Sequence, residues 1–241
     1  MKGEPLSQAK LDALWASLHE ALGDSAWEEA EGLLRRFVQL VPESPLQVWD
    51  ALSYVLLMQG DFRSCLASLE SHRMDPSRSF WLEHRLGDAY RGLNQLEAAV
   101  ICYRRSLDDG SDSPLTCRNL LQVLDALDPE LAVMEVQSWQ QNSQKPLSWA
   151  WEGARQAAVL VPGMELAKQL WQAGEADEPC RKRLIEEACY ALDLERVLFL
   201  LVAAQATDQG LSCWEMALWQ RLQGLGLAVT TNGPDADAPQ R

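Results

Sequence analysis

A repeat held in register constrains this chain more than any single motif. Its apolar residues recur at steps of about 34 residues, long enough for one helix, a turn and a second helix. Trp15 to Trp49 is one such step, as are Leu18 to Leu52 and Leu22 to Leu56. Leu52 to Leu86, Gly60 to Asn94, Cys65 to Ala99 and Leu69 to Tyr103 make it again. Leu86 to Leu120, Tyr90 to Leu124 and Leu93 to Leu127 carry it further. From Trp15, four steps reach Trp151 and six reach Trp219. Coincidence yields one or two such matches, not a set sharing one phase.

The clearest unit runs from Phe80 to Leu107. Leu86, Tyr90 and Leu93 recur at helical spacing, and Ala99 and Tyr103 do so on a second helix. Gly92-Leu93-Asn94 supplies the break, and Glu97 favours the second start. Gly87 lies inside the first helix, where glycine costs about 1 kcal/mol relative to alanine. A residue that costly points to close approach by a neighbouring helix. Tyr90 is expected to fill the interface between this helix and the flanking hairpins.

Similar pairs are expected along the chain. Leu11–Leu22 and Ala26–Leu40 form the first, and Val48–Met58 and Arg63–Ser71 the second. Pro42 and Pro45 separate them, since proline cannot continue a helix. Leu115–Leu127 and Leu131–Gln141 make a fourth pair, Ser148–Leu160 and Met164–Ala173 a fifth, and Arg181–Leu192 and Leu194–Gln205 a sixth. Leu211–Gln223 is then a single closing helix. Residues 1–8 read as an N-terminal extension, 9–224 as the helical array, and 225–241 as a disordered polar tail.

Leu-Gly-x-x-Tyr followed by Ala and Tyr, at Leu86, Gly87, Tyr90, Ala99 and Tyr103, resembles a tetratricopeptide repeat (TPR). The small residue after the repeat's leucine is kept at Ser53, Gly87 and Cys189, and lost at His19, Leu121 and Arg155. The resemblance implies an all-α fold: a right-handed α-solenoid of antiparallel helix pairs with a C-terminal capping helix. No pair can bury its apolar face alone, and stacking neighbours makes one continuous core. It further implies a concave surface, lined by the first helix of each pair, that takes an extended peptide or a partner's helix.

Composition narrows the partners. The formal net charge of -14 argues against nucleic acid and anionic membrane surfaces. It also serves solubility. Hydrophobic residues at 47% exclude a mainly disordered chain. Six cysteines form no Cys-x-x-Cys pair and do not cluster with the three histidines, so zinc spacing is absent. Cysteines at apolar helical positions suggest a reducing compartment, hence a cytoplasmic protein. The N-terminus has no apolar run of the secretory kind. The longest apolar run, Val197–Ala204, falls short of the roughly 20 residues of a membrane span and reads as a buried helix.

By the resemblance, ligand contacts fall on the exposed face of each first helix. That face comprises Asp50 and Tyr54 in the second repeat, and Trp81, His84, Arg85, Asp88 and Arg91 in the third. In the fourth it comprises Arg118, Asn119 and Gln122. Members that bind chaperone tails clamp a terminal carboxylate with a Lys and an Asn of the first repeat. Here those positions are Ala16 and Glu20, a departure from that pattern. Arg85, Arg91 and Arg118 remain close together, and arginine pairs with carboxylates in bidentate fashion. An acidic or C-terminal peptide segment is therefore expected, with Trp81 and Tyr54 giving apolar contact. The alternative is that these are surface arginines paired with Asp88 and Glu83.

The in-phase tryptophans read as core packing. Trp81, Trp139, Trp149 and Trp171 fall off that phase and are candidates for exposed contact. His84 beside Glu83 has neither a nucleophile nor a phosphate-cradling loop for company, so it reads as solvated or groove-lining. Glu28-Glu29 and Glu186-Glu187 are adjacent on helices, point in different directions, and read as solvated faces. No catalytic, cofactor or metal motif appears. A non-enzymatic scaffold or adaptor is the leading reading. The alternative is an accessory module for a bacterial glycosyl-, methyl- or sulfo-transferase, separate or fused. On the closing helix, Met216 with Trp219 forms a second apolar stripe, a candidate surface for self-association or for a downstream domain.

Overall fold

The computed structural model describes residues 8–41, 43–76, 78–142, 147–207 and 210–227. Among them the chain is helical throughout, with α1 (Gln8–Gly23), α2 (Trp27–Leu40), α3 (Leu46–Gln59), α4 (Phe62–Glu70), α5 (Phe80–Gly92), α6 (Leu96–Asp108), α7 (Pro114–Leu127), α8 (Pro129–Asn142), α9 (Ser148–Leu160), α10 (Glu165–Gln172), α11 (Glu178–Tyr190), α12 (Leu194–Gln205) and α13 (Cys213–Gly224). The expected helices are all present, with ends displaced by at most three residues. The expected N-terminal extension and polar tail lie almost wholly outside the described residues. The chain divides into two compact units, Met1–Leu166 and Ala167–Arg241.

Local chemistry sets the helix ends in the first unit. Gly60 closes α3 in the left-handed region, with φ 77°, and its N–H meets the last carbonyls of the helix. The side chain of Asp61 then caps α4 by accepting from the Ser64 N–H. Asn94 plays the turn role of Gly60 one repeat later, with φ 58°. Asparagine tolerates that conformation better than most residues. Pro114 sits in the first turn of α7, where its missing N–H costs nothing, and the Ser113 side chain accepts from the Leu115 N–H.

Packing follows the repeat. α5 and α6 lie antiparallel, since Phe80 meets Ser106 and Gly87 meets Tyr103. Gly87 is where α6 approaches: a Cβ there would lie 2.7 Å from Cε1 of Tyr103. This is the close approach expected of it. Successive first helices then run side by side. Gly153 of α9 packs on the Pro114 carbonyl and the Cys117 Cβ of α7 so closely that no side chain fits between them. Leu34, Val48, Leu56, Leu69 and Leu86 are fully buried in a core continuous from α1 to α6.

The second unit is held by a buried ion pair. Arg181 on α11 donates to Glu215 on α13 from Nε at 2.9 Å and from NH2 at 3.2 Å. Their exposures are 3% and 0%. Oε2 of Glu215 also accepts the Ser212 N–H, which ties the start of α13 to the same carboxylate. Burial pushes the Glu215 carboxyl up, but the hydrogen bonds and charge of Arg181 and the Ser212 contact more than offset this, and the group sits below the ordinary glutamate range.

The structure corrects several expectations. Tyr90 is only half-buried; the aromatic at the centre is Tyr103, fully buried against Gly87. The run Val197–Ala204 is not buried all round, since Phe199 and Val202 face solvent while Val197, Leu200, Leu201 and Ala204 pack inward. α11 stops at Tyr190 because Leu192 takes a positive φ of 57°, and Cys189 is exposed rather than used for close packing. Trp219 is buried, so the exposed Trp–Met pair expected on α13 reduces to Met216. Trp15, Trp49 and Trp151 are half-buried: Trp15 packs on Phe37 at 5.2 Å and Trp49 on His72 at 4.9 Å.

Two stability outcomes follow. Gly87→Ala drives a methyl into the Tyr103 ring, and overpacking of this kind costs about 1–3 kcal/mol; hydrogen exchange of the α5 and α6 amides measures it, and unchanged protection would contradict the packing. Arg181→Met strands the Glu215 carboxylate, which costs about 3–5 kcal/mol, whereas Arg181→Met with Glu215→Leu recovers most of it. Because the Glu215 pKa is depressed by folding, the wild-type contribution is full above the ordinary glutamate value of about 4.3 and is lost as pH falls through the lower folded value. Protection of Cys213–Gly224 amides against pH reads both effects.

Candidate functional site

The spacing on three successive first helices brings their exposed faces to one place. Asp50, Tyr54, Leu57 and Met58 come from α3, Trp81, His84, Arg85, Asp88 and Arg91 from α5, and Leu115, Arg118 and Asn119 from α7. Intervals of three, four and seven keep residues on one side of a helix. Together they line a cavity of about 480 Å³. Nine of the ten residues expected on that face line it, and the tenth, Gln122, accepts from NH1 of Arg91 at 3.3 Å.

The floor of the cavity is a hydrogen-bond network centred on Asp88. Its Oδ1 accepts the Tyr103 hydroxyl at 2.6 Å and the Asn119 amide at 2.9 Å. Arg91 lies 3.3 Å from the same oxygen, and His84 Nε2 lies 3.3 Å from Oδ2. Burial raises the Asp88 carboxyl, but the His84 hydrogen bond and charge, the Tyr103 hydroxyl and Arg91 together hold it below the ordinary aspartate value. Burial, and then the Asp88 charge, push the Tyr103 phenol well above its ordinary value, so it stays a donor.

His84 is buried, not solvated. Its Nδ1 lies 2.9 Å from Oγ1 of Thr116, which lies 3.0 Å from Oγ of Ser111. Its ring meets Trp81 edge-on at 5.0 Å. An Asp–His–Thr sequence of contacts has the outline of a nucleophile with its base. Thr116 is fully buried, however, so its hydroxyl closes an internal chain and meets no substrate. His84 and Asn119, both expected to meet ligand, are committed to holding α5 against α7.

The arginines differ in what they already hold. Arg85 pairs bidentately with Asp50, at 2.6 and 3.1 Å, and lies 5.0 Å over the Tyr54 ring. Arg91 is shared between Asp88 and Gln122. Arg118 donates from Nε and NH2 to the neutral Asn119 Oδ1 and meets no carboxylate among the described residues. Glu83, expected as a partner for these arginines, is instead buried against Arg73 and Arg78. At the rim, Tyr54, Met58 and Leu115 are exposed and apolar.

Sequence reasoning missed Leu57, Met58 and Leu115, although each lies three or four residues from a named one and was findable by helical spacing. It also missed Thr116 and Ser111. Ser111 enters through the turn before α7, whose path no periodicity records, and Thr116 through the first turn of α7 that follows it.

No known family's profile matches the chain, and no curated protein does. Among solved structures the chain is similar to a tetratricopeptide repeat protein from Parabacteroides merdae ATCC 43184. The match has a TM-score of 0.51 at 16% identity and covers 88% of this chain and 78% of that one. The chain has the tetratricopeptide-repeat fold. That likeness carries the helical-repeat architecture and nothing about a ligand. Among the described residues no helix is long and apolar enough to cross a membrane.

Asp88→Ala leaves the Tyr103 hydroxyl and the Asn119 amide without their acceptor, and buried donors left unpaired cost about 1–3 kcal/mol each. Chemical denaturation followed by hydrogen exchange in α5, α6 and α7 is expected to show the loss in all three helices together. Loss confined to α5 would contradict the network.

Proposed function

We propose that this TPR chain is a non-enzymatic adaptor that holds a peptide segment of a protein partner in the cavity between α3, α5 and α7. The observation that carries the reading is Arg118: a half-buried guanidinium in the cavity wall whose only side-chain partner among the described residues is a neutral amide oxygen. A ligand carboxylate gives such a group the charge-assisted, bidentate pairing it lacks. The ligand is therefore an acidic side chain or a C-terminal carboxylate on an extended segment. An adjacent apolar side chain packs on Tyr54, Met58 and Leu115. Six cysteines, four of them buried, form no disulfide among the described residues, which supports a reducing compartment such as the cytoplasm.

Selection against a library of C-terminal peptides, each with a free and an amidated end, tests the proposal. Binders are expected to depend on a free terminus or on an Asp or Glu near it. Arg118→Glu is expected to weaken them tenfold or more, about what a lost hydrogen bond to a charged group gives. Arg85→Glu is expected to act less directly, since Arg85 is already held by Asp50. Binders indifferent both to the carboxylate and to Arg118→Glu would overturn the proposal. A transferase recovered in stoichiometric complex, with its contacts elsewhere, would favour the accessory-module reading.

A further inference from the structure

A second cavity, of about 360 Å³, lies at one edge of the first unit, where α6 ends and α7 and α9 begin. It is distinct from the α3–α5–α7 cavity. Its volume is in the range of small-ligand pockets. Trp139 and Trp149 line it, with Leu107, Cys117, Leu147 and Ala150. Gly110, Ser111, Asp108 and Asp112 complete the lining, and both carboxylates are exposed. Among the described residues neither carboxylate has a hydrogen-bond or ion-pair partner, whereas their neighbour Asp109 is taken by Arg78.

Several features here favour positive charge. Trp is the best of the aromatic rings for attracting a cation. Asp108 is the last residue of α6, where the carbonyl end of the helix adds partial negative charge. Glu135 lies behind the cavity; one oxygen accepts the Trp139 indole N–H at 3.2 Å and fixes that ring, while the other pairs with Arg104. Burial, ahead of the Glu135 charge, pushes the Cys117 thiol up to about 12, so it stays a neutral part of the lining. The lining also says what kind of cation fits. Cys117 and Ala150 are buried and apolar, and the Ser111 hydroxyl is already engaged by Thr116. An ammonium with several N–H groups would leave hydration behind and find few acceptors inside. An alkylated ammonium has no such donors to satisfy.

We propose that the cavity lined by Trp139 and Trp149 is a binding site for a methylated ammonium group, with Asp108 and Asp112 supplying the counter-charge at its solvent side. The full chain, labelled with ¹⁵N at tryptophan indoles, is titrated with choline and with 3,3-dimethyl-1-butanol, its uncharged isostere. Trp139→Phe and Trp149→Phe assign the two signals. Choline is expected to shift both indoles and to bind about tenfold more tightly than the isostere. Asp108→Asn with Asp112→Asn, at exposed positions that leave the fold intact, is expected to remove that preference. A trimethyl-lysine peptide as a third ligand separates a protein side chain from a small metabolite as the source. No shift of either indole, or equal response to choline and its isostere, would overturn the proposal.

Discussion

The carboxylate of Asp88 holds three helices to one another. It accepts from Tyr103 on α6 and Asn119 on α7 while pairing with His84 and Arg91 of its own helix. A half-buried carboxylate is costly unless donors satisfy it, and here they do so on both oxygens. The geometry leaves little freedom. If α6 or α7 slid by a turn, about 5.4 Å, its own bond to the carboxylate, from Tyr103 or from Asn119, would break. The apolar core supplies most of the driving force for stacking, but apolar contacts tolerate sliding. The polar network fixes the register at which the cavity has its shape.

The same device recurs along the chain. Asp50 meets Arg85, His84 meets Thr116, Arg78 meets Asp109, Arg104 meets Glu135 and Arg181 meets Glu215, at sequence separations between 31 and 35. The repeat length thus appears in space as a set of polar couplings between equivalent helices. Their energies differ greatly. Arg104 is exposed where it meets the half-buried Glu135, and that pair contributes little. Arg181–Glu215 is buried and its intactness matters far more than its net worth. Such pairs act more as pins of register than as sources of stability.

What was legible in the sequence divides along physical lines. Helix positions and the shared face of Asp50, Arg85 and Arg118 follow from periodicity, because a helix maps sequence interval onto direction. Gly87 announced a close approach because its helical cost needs compensation. Periodicity did not say which aromatic lay at the centre: Tyr90 and Tyr103 both hold repeat positions, and only the distance to Gly87 separates them. Nor did it say which polar residues turn inward. His84 and Asn119 lie on the face that points at the groove, yet their tips reach back to Thr116 and Asp88. Side-chain direction within a face depends on the partner helix, which one strand of sequence does not describe.

Charge pairing also changes what the arginines of the cavity are available for. Counted from sequence they are three cations in an acidic chain; counted in place, two are neutralised by Asp50 and Asp88. The arginines and aspartates of the lining together leave one net positive charge, centred on Arg118. On the proposed reading, a ligand with a single carboxylate completes the pairing. One with a second carboxylate on the α3 or α5 side brings it against Asp50 or Asp88, a like-charge approach that costs affinity. The paired arginines therefore do more than line the cavity. Locked by their partners, they hold Tyr54 and the helix faces in place, and they leave a field selective for one negative charge at one end of an apolar surface.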